Sequence, residues 1–260
     1  MTASERPRFA ANLSMLFQEV DVLDRFRAAA AAGFTRVELL FPWWHDVDAI
    51  ERELKDRGLE MVLFDTDPGD FAGGERGFLC HPGRPFLESV RDALRLAKRL
   101  GVKRLNALAG KVPPGVSIAE ARATAVDNLR RAAPLAEDAG VTLLVEGLNT
   151  IDNPGYLVDR SALGFAIVEE VDSPALRYQY DVYHATIMGE KVVEDLRSPL
   201  VGHVQIADVP GRHEPGTGTI DWKPIFAALK DRDLVVSLEY QPLAGTVAGL
   251  DRWLPRNGRG

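Results

Sequence analysis

Short apolar segments alternate with longer amphipathic ones along the whole chain, and this alternation restricts the possible folds more than any other feature of the sequence. The longer segments carry apolar residues at helical spacing, and many of them end at a glycine. Strands that alternate with helices in this way form a parallel sheet with helical crossovers. The predicted strands are Arg8–Leu13, Val37–Phe41, Met61–Phe64, Leu105–Leu108, Val141–Val145, Leu176–Tyr180, Val201–Ile206 and Leu234–Leu238.

Eight strand–helix units in 260 residues predict an α/β fold, a (β/α)8 TIM barrel that forms a single domain over residues 1–260. Eight helices are expected, including one short helix between Gly189 and Arg197 after the sixth strand. The alternative is a doubly wound open sheet, which usually carries a glycine-rich phosphate-binding turn after its first strand. The residues at that position here, NLSMLF (12–17), contain no such turn, so we expect the closed barrel.

The net charge of −7 and the single cysteine limit the classes of function. Because no cluster of basic residues offsets the negative charge, we expect no nucleic-acid partner. Cys80 alone can form neither an intrachain disulfide nor a thiolate metal cage. The sequence has no run of about 18 apolar residues, and it starts, at MTASERPRFA, without an apolar targeting segment. A cytoplasmic protein without a membrane partner is the expectation, and a homo-oligomer is compatible with it.

Polar side chains stand at the ends of the last four predicted strands. Glu146 closes the fifth strand, Asp181 the sixth and Glu239 the eighth, and Gln205 lies inside the seventh. The carboxyl ends of barrel strands meet at one rim, where three carboxylates without a cation would repel one another. Carboxylate and amide oxygens are hard ligands that suit Mg2+ or Mn2+. The alternative is that each acid separately caps a helix or forms an ion pair at the rim.

Six motifs in order make the chain similar to the hydroxypyruvate isomerase family, within the xylose isomerase-like TIM barrels. They are FAANLSMLF (9–17), GERG (74–77), QYDVYH (179–184), GHVQIAD (202–208), EPGTG (214–218) and EY (239–240). The resemblance covers essentially the whole chain. It implies that Glu146, Asp181, Gln205 and Glu239 bind a divalent cation, and that the two glutamates are the catalytic proton-transfer pair.

The chain departs from the pattern of that family at two places. It has Glu146-Gly147-Leu148-Asn149 where the family commonly has Glu-Pro-Ile-Asn. After the third strand it has FDTDPGD (64–70), where a sequence of the Asn-Leu-Pro type is more usual. The first change leaves the predicted metal ligands in place, whereas the second lies in a loop that would help to select the substrate.

The resemblance implies an aldose–ketose type of isomerisation, from hydroxypyruvate to tartronate semialdehyde. The residues suit this chemistry independently, because the reaction moves a proton between adjacent carbons through an enediol. A cation that bridges the two substrate oxygens stabilises the developing negative charge. One carboxylate removes the proton and an acid on the same face returns it, and Glu146 and Glu239 are the candidates. The sequence does not assign the base of the forward direction.

Five further residues are predicted to bind the substrate. The family resemblance implies that His184 hydrogen-bonds a substrate oxygen. Arg212 has the planar guanidinium that suits a substrate carboxylate. Asn106 and Lys111 flank the end of the fourth strand, and Glu75 belongs to a glycine-flanked loop that could close over the mouth of the barrel.

Several other functions remain compatible with the sequence. The same chemistry could act on a longer oxo acid or a free ketose, as an isomerase or an epimerase, and a sugar dehydratase uses a similar metal arrangement. A metal-dependent DNA-repair nuclease would need a histidine-rich site and a basic groove, which a chain with 5 histidines and a net charge of −7 does not favour. A barrel that binds a sugar acid without turnover is the last alternative.

Overall fold

Eight parallel strands pair in sequence order, and the first also pairs with the eighth, so that the sheet closes into a barrel. The structure is a computed structural model that describes residues 7–83, 85–230 and 232–260. The predicted single-domain (β/α)8 barrel is therefore confirmed. The sequence analysis also expects no targeting segment at the start of the chain, and residues 1–6 of that start lie outside the described residues. The strands are β1 (Arg8–Asn12), β2 (Arg36–Glu38), β3 (Glu60–Asp65), β4 (Arg104–Asn106), β5 (Thr142–Glu146), β6 (Leu176–Asp181), β7 (Val201–Ile206) and β8 (Val235–Leu238).

The described part of the chain forms nine α-helices rather than the eight that are predicted. The extra helix, Val182–Ile187, begins directly after β6, at a position for which the sequence analysis predicts no helix. It begins there because the Asp181 side chain accepts a hydrogen bond from the Tyr183 backbone N–H at 2.7 Å, which caps the first turn. The helices are α1 (Val22–Ala32), α2 (Val47–Arg57), α3 (Phe86–Leu100), α4 (Ile118–Asp138), α5 (Ser161–Val171), α6 (Val182–Ile187), α7 (Val192–Asp195), α8 (Trp222–Leu229) and α9 (Thr246–Trp253).

Two strands are shorter than their apolar segments predict. The predicted strand Val37–Phe41 is reduced to β2, since the chain leaves the ladder after Glu38 and Pro42 begins a short 3₁₀ helix. The predicted strand Leu105–Leu108 ends at Asn106. Most of the apolar residues that follow the two strands are buried, so their apolar character reports burial rather than strand pairing.

The inside of the barrel is divided into an apolar layer and a polar layer. Ala10, Leu63, Leu144 and Val235 belong to a small buried apolar cluster. Each of these residues is followed two positions later by a buried polar one, and residues two apart on a strand point to the same face. The polar layer, toward the carboxyl ends of the strands, therefore begins with Asn12, Asp65, Glu146 and Ser237.

The helices form the outer layer and pack on the sheet through their apolar faces. In α3, Val90, Leu94 and Ala97 lie one helical turn apart and are buried, and burial of a leucine side chain contributes about 2 kcal/mol. Gly101 ends this helix with a left-handed φ of 73°. No helix within the described residues is both long and apolar enough to cross a membrane.

Candidate active site

The side chains of Glu146, Asp181, Gln205 and Glu239 converge at one side of the barrel mouth. Glu146 and Asp181 end β5 and β6, Gln205 lies in β7, and Glu239 directly follows β8. All four are at most 6% exposed. Gln205 Nε2 donates a hydrogen bond to Glu239 Oε2. The four residues that the sequence predicts as metal ligands thus lie in one buried group.

Arg212 links two of these carboxylates. Its Nη2 lies 3.2 Å from Asp181 Oδ2 and 2.5 Å from Glu239 Oε1. Its guanidinium carbon also lies 4.9 Å from the centre of the Tyr183 ring. The guanidinium therefore neutralises part of the negative charge of these two buried carboxylates.

Burial shifts the pKa values of the two glutamates strongly. Burial, and after it the neighbouring Asp181 carboxylate, raises the pKa of Glu146 to about 8. Burial also raises the pKa of Glu239 well above its ordinary value, although Arg212 opposes this change. Both shifts show that the pocket disfavours two further negative charges, and a bound cation would favour the ionised form of both glutamates.

The donor set fits a divalent cation on these grounds. Oxygens of Glu146 and Asp181 and a ring nitrogen of His184 lie within 4.8 Å of one another, and all three residues are buried. Carboxylates supply the hard oxygen ligands that such ions prefer. Glu239 lies next to this group through its contact with Arg212. The amide oxygen of Gln205 accepts a hydrogen bond from Gln179 at 2.8 Å, so it is oriented by the neighbouring strand.

Asn106 is the second predicted substrate-binding residue, after Arg212, that contacts the carboxylate group. Its Nδ2 donates to Glu146 Oε2 at 2.7 Å. Beside it, Asp65 ends β3 and is buried, and burial raises its pKa well above the ordinary value. Asp65 Oδ1 has no hydrogen-bond partner among the described residues. The sequence analysis missed Asp65, although it ends a predicted strand in the same way as Glu146.

Two more of the five predicted substrate-binding residues, Glu75 and Lys111, make contacts within the loops. Glu75 Oε2 accepts a hydrogen bond from the backbone N–H of Asp70 at 2.7 Å. Lys111 pairs with Tyr156 in an isolated antiparallel β-bridge. These contacts do not join either residue to the four strand-end side chains, and a role for them in substrate binding stays a prediction.

His184 lies on α6 beside Asp181, with 3.5 Å between its Nε2 and Asp181 Oδ2. Burial is the main reason that the pKa of His184 falls to about 4. Its imidazole is therefore neutral near pH 7. The backbone N–H of Asn149 lies 3.2 Å from Nδ1 of His184, so the loop after β5 holds the ring in place.

A buried polar network supports the carboxylate group from below. Glu38 accepts hydrogen bonds from Asn12 Nδ2 at 2.8 Å and Gln205 Nε2 at 2.7 Å, and its other oxygen lies 2.9 Å from His203 Nε2. Asn12 Nδ2 also lies 2.9 Å from Glu239 Oε2. Burial lowers the pKa of His203. Burial would raise the pKa of Glu38, but the hydrogen bond from His203 helps to lower it. A neutral imidazole therefore donates a hydrogen bond to a carboxylate.

The sequence signals for this network are weak. Glu38 is a single charge inside an apolar strand, which marks it as a buried polar residue without identifying its partners. His203 shares the inward face of β7 with Gln205, as the two-residue period of a strand predicts. Both Glu38 and Asn12 were missed as parts of the site.

The loop after β7 places Arg212 over the site. Its centre is Asp208, whose carboxylate accepts hydrogen bonds from the backbone N–H groups of Gly216 and Ile220 and from Trp222 Nε1, at 2.8, 3.2 and 2.9 Å. Arg212 itself has a left-handed φ of 56° and its carbonyl accepts a hydrogen bond from Gln241 at 2.8 Å. The backbone of the loop therefore fixes the direction of the arginine side chain.

Comparison with known proteins identifies the family of this chain. A model described as a xylose isomerase-like TIM barrel matches residues 26–256. The 2-oxo-tetronate isomerase of Cupriavidus necator is 43% identical over 259 residues, which cover 97% of this chain and 100% of that protein. The hydroxypyruvate isomerase of Escherichia coli is 40% identical, with coverage of 95% and 98%.

Two crystal structures extend the comparison. One, from Brucella melitensis and described as an AP endonuclease of family 2, has a TM-score of 0.91 and 41% identity and covers 96% of this chain and 98% of its own. The other, a D-psicose 3-epimerase from Clostridium cellulolyticum, has a TM-score of 0.75 and 21% identity over 95% and 90% of the two chains, and shows the fold alone. This chain is an isomerase-like enzyme that belongs to the xylose isomerase-like TIM barrel family.

Proposed function

We propose that the protein is a metal-dependent isomerase of a small hydroxy-oxo acid, and that it interconverts hydroxypyruvate and tartronate semialdehyde. The observation that carries the proposal is the convergence of Glu146 and Glu239 on one buried pocket, with Arg212 and Asp181 between them. The identity of 40% to a hydroxypyruvate isomerase over nearly the whole chain supports it.

Glu146, Asp181, Gln205 and Glu239 are the residues that would hold the divalent cation, with Mg2+ or Mn2+ as the preferred ions. When bound, the cation would supply Lewis-acid stabilisation of the negative charge that develops on the two substrate oxygens. Gln179 and Asn12 keep Gln205 and Glu239 in their orientations through the hydrogen bonds described above.

Glu146 and Glu239 transfer the proton in this proposal. One carboxylate takes the proton from the carbon that bears the hydroxyl group, which leaves an enediolate. The hydroxyl proton moves to the former carbonyl oxygen, and the other glutamate, in its protonated form, delivers a proton to the former carbonyl carbon. Both groups are buried, so bulk water is kept from the reacting carbons. A pKa raised toward neutrality, as for Glu146 at about 8, suits a group that both accepts and donates a proton.

Arg212 and His184 bind the substrate in this proposal. Arg212 Nε is buried without a partner among the described residues, so the guanidinium has a donor left after its contacts with Asp181 and Glu239. Planar guanidinium donors suit a carboxylate, which hydroxypyruvate carries. His184, neutral and buried, donates to an oxygen at the reacting end.

A four-carbon substrate is the second candidate, since the relative with 43% identity is a 2-oxo-tetronate isomerase. The unpartnered Asp65 Oδ1, beside Asn106, would offer a hydrogen bond to the additional hydroxyl group of such a substrate. An endonuclease activity is not supported, because a chain with a net charge of −7 does not favour the basic surface that binding of nucleic acid requires.

The test combines metal analysis with substrate assays. The purified protein is expected to contain or bind one divalent ion, and to interconvert hydroxypyruvate or 2-oxo-tetronate faster than a free ketose such as D-fructose. Dialysis against EDTA should remove activity, and Mg2+ or Mn2+ should restore it. Equal activity with and without chelator, or a preference for free ketoses, would contradict the proposal.

A further inference from the structure

We propose that Asn149 is a positioning residue that holds His184 in the neutral tautomer with its proton on Nε2. In this form His184 acts at the site as a hydrogen-bond donor and cannot coordinate a metal through Nε2. The effect on turnover rests on the proposed isomerase function, whereas the tautomer can be measured without any activity.

The orientation of the Asn149 amide is determined by its backbone neighbours. Its Oδ1 accepts hydrogen bonds from the backbone N–H groups of Ile151 at 3.1 Å and Asp152 at 2.8 Å. Only an oxygen can accept these two donors, so the nitrogen must occupy the opposite side of the amide. There, Nδ2 donates to Asp152 Oδ2 at 2.9 Å. Asp152 is held in turn by the Tyr183 hydroxyl at 3.0 Å.

The second hydrogen of the Asn149 amide fixes the tautomer of His184. Nδ2 lies 2.6 Å from His184 Nδ1, and the backbone N–H of Asn149 points to the same atom at 3.2 Å. Two donors meet one ring nitrogen, so Nδ1 must be the unprotonated acceptor. A neutral imidazole then carries its hydrogen on Nε2. Both side chains are buried, at 0% exposed for Asn149 and 3% for His184.

This tautomer decides between two roles that distance alone allows. A ring nitrogen of His184 lies within 4.8 Å of oxygens of Glu146 and Asp181, which is compatible with a ligand to a shared ion. Coordination requires a lone pair, and Nδ1 already accepts two hydrogen bonds while Nε2 carries a proton. His184 is therefore left to donate from Nε2, toward Asp181 and toward a substrate oxygen, and the ion is left to oxygen ligands.

Nitrogen-15 NMR of the histidine side chains tests the tautomer directly in the Mg2+-loaded protein. The two- and three-bond couplings between ring nitrogens and ring protons identify the protonated nitrogen, and a spectrum of His184→Gln assigns the His184 signals. We expect a protonated Nε2 and an unprotonated Nδ1 in the wild-type protein. A wild-type His184 with its proton on Nδ1 would overturn the proposal, and this measurement needs no Asn149 variant to fold.

Asn149→Asp replaces the donor by an acceptor and is the critical variant. We expect the His184 proton to move at least partly to Nδ1, and the turnover number to fall about ten-fold or more while KM changes less. Asn153→Asp is the matched control, because Asn153 lies in the same loop and its side-chain oxygen, which the aspartate keeps, accepts a hydrogen bond from Arg76 at 3.3 Å. The control should keep the wild-type tautomer and turnover.

The outcomes separate this proposal from the proposed function. A folded Asn149→Asp protein with the wild-type tautomer would overturn the role of Asn149. A wild-type protein with the expected tautomer but without isomerase activity would refute the proposed function and leave the assignment of the tautomer intact. A shift in tautomer with unchanged turnover would show that His184 does not need Nε2–H for the reaction, and would overturn the donor role.

Discussion

Nη2 of Arg212 lies 2.5 Å from Oε1 of Glu239, although the two residues come from the loop after β7 and the end of β8. The same nitrogen contacts Asp181 from β6 at 3.2 Å. A single guanidinium thus connects three successive segments of the barrel at the point where the proposed reaction takes place. The arginine neutralises part of the buried negative charge and keeps donors for a substrate.

Arg212→Lys should impair binding of a carboxylate-bearing substrate. A lysine keeps the charge but loses the planar fork, and a hydrogen bond to a charged group contributes about 1.5–3 kcal/mol. We expect KM for hydroxypyruvate to rise by about ten-fold or more. Steady-state kinetics measure this effect. Arg160→Lys is the control, since Arg160 donates to the backbone of Met188, at 3.1 Å, and should keep the wild-type KM.

Glu239→Gln should remove turnover while the fold is retained. The amide has nearly the same shape but cannot take or give the proton, so the turnover number is expected to fall by about 10²–10⁴. The thermal midpoint should fall, because the amide loses the buried ion pair with Arg212 and its nitrogen would face the donors that the carboxylate now accepts from. Calorimetry and a substrate assay test both parts. A variant with near-wild-type turnover would exclude Glu239 from proton transfer.

Glu38→Gln should destabilise the protein strongly. The carboxylate accepts hydrogen bonds from Asn12, His203 and Gln205, so an amide nitrogen at this place would face donors. Loss of one partner in a buried charged network costs about 3–5 kcal/mol. Urea unfolding measures the change in the free energy of unfolding. Glu60→Gln, at an exposed ion pair with Arg36 at 3.6 Å, should cost less than about 1 kcal/mol.

Asp208 should contribute stability that depends on pH. Burial would raise its pKa, but hydrogen bonds from Trp222 and three backbone N–H groups lower it below the ordinary value. A lowered pKa in the folded state stabilises the fold above the unfolded pKa of about 4, and this contribution is lost as the pH falls further. The free energy of unfolding of Asp208→Asn should therefore be lower than that of the wild type at pH 7, and it should fall less steeply below pH 4. Unfolding curves at several pH values measure both effects.

The Asp208 prediction has an exposed carboxylate as its control. Asp233 pairs with Arg8 at 2.5 Å, and its side chain is 92% exposed. Asp233→Asn should leave both the stability at pH 7 and the slope of the acid limb close to wild type, because exposed ion pairs contribute little. An acid limb for Asp208→Asn that equals the wild type would show that this carboxylate does not hold the loop.

The comparison of sequence and structure shows which site residues local patterns can identify. Glu146 and Asp181 were predicted because a charge at the end of a buried strand is out of place in an apolar segment. Asp65 follows the same rule and was missed because a polar, glycine-rich loop comes directly after it, and a carboxylate at the start of such a loop is not out of place. The helix α6 was missed because its cap, Asp181, also reads as the last residue of a strand.

The sequence alone determined the closed barrel, its eight strands and the rim at which the acids meet, because strand and helix periods are local properties that repeat along the chain. Only the tertiary structure decided which side chains pair. Glu38 contacts His203 across 165 positions of sequence, Arg212 lies between Asp181 and Glu239, and Asn149 orients His184. A periodic pattern shows which face of an element is buried, but partners inside a barrel depend on how the closed sheet and its loops bring distant segments together in space.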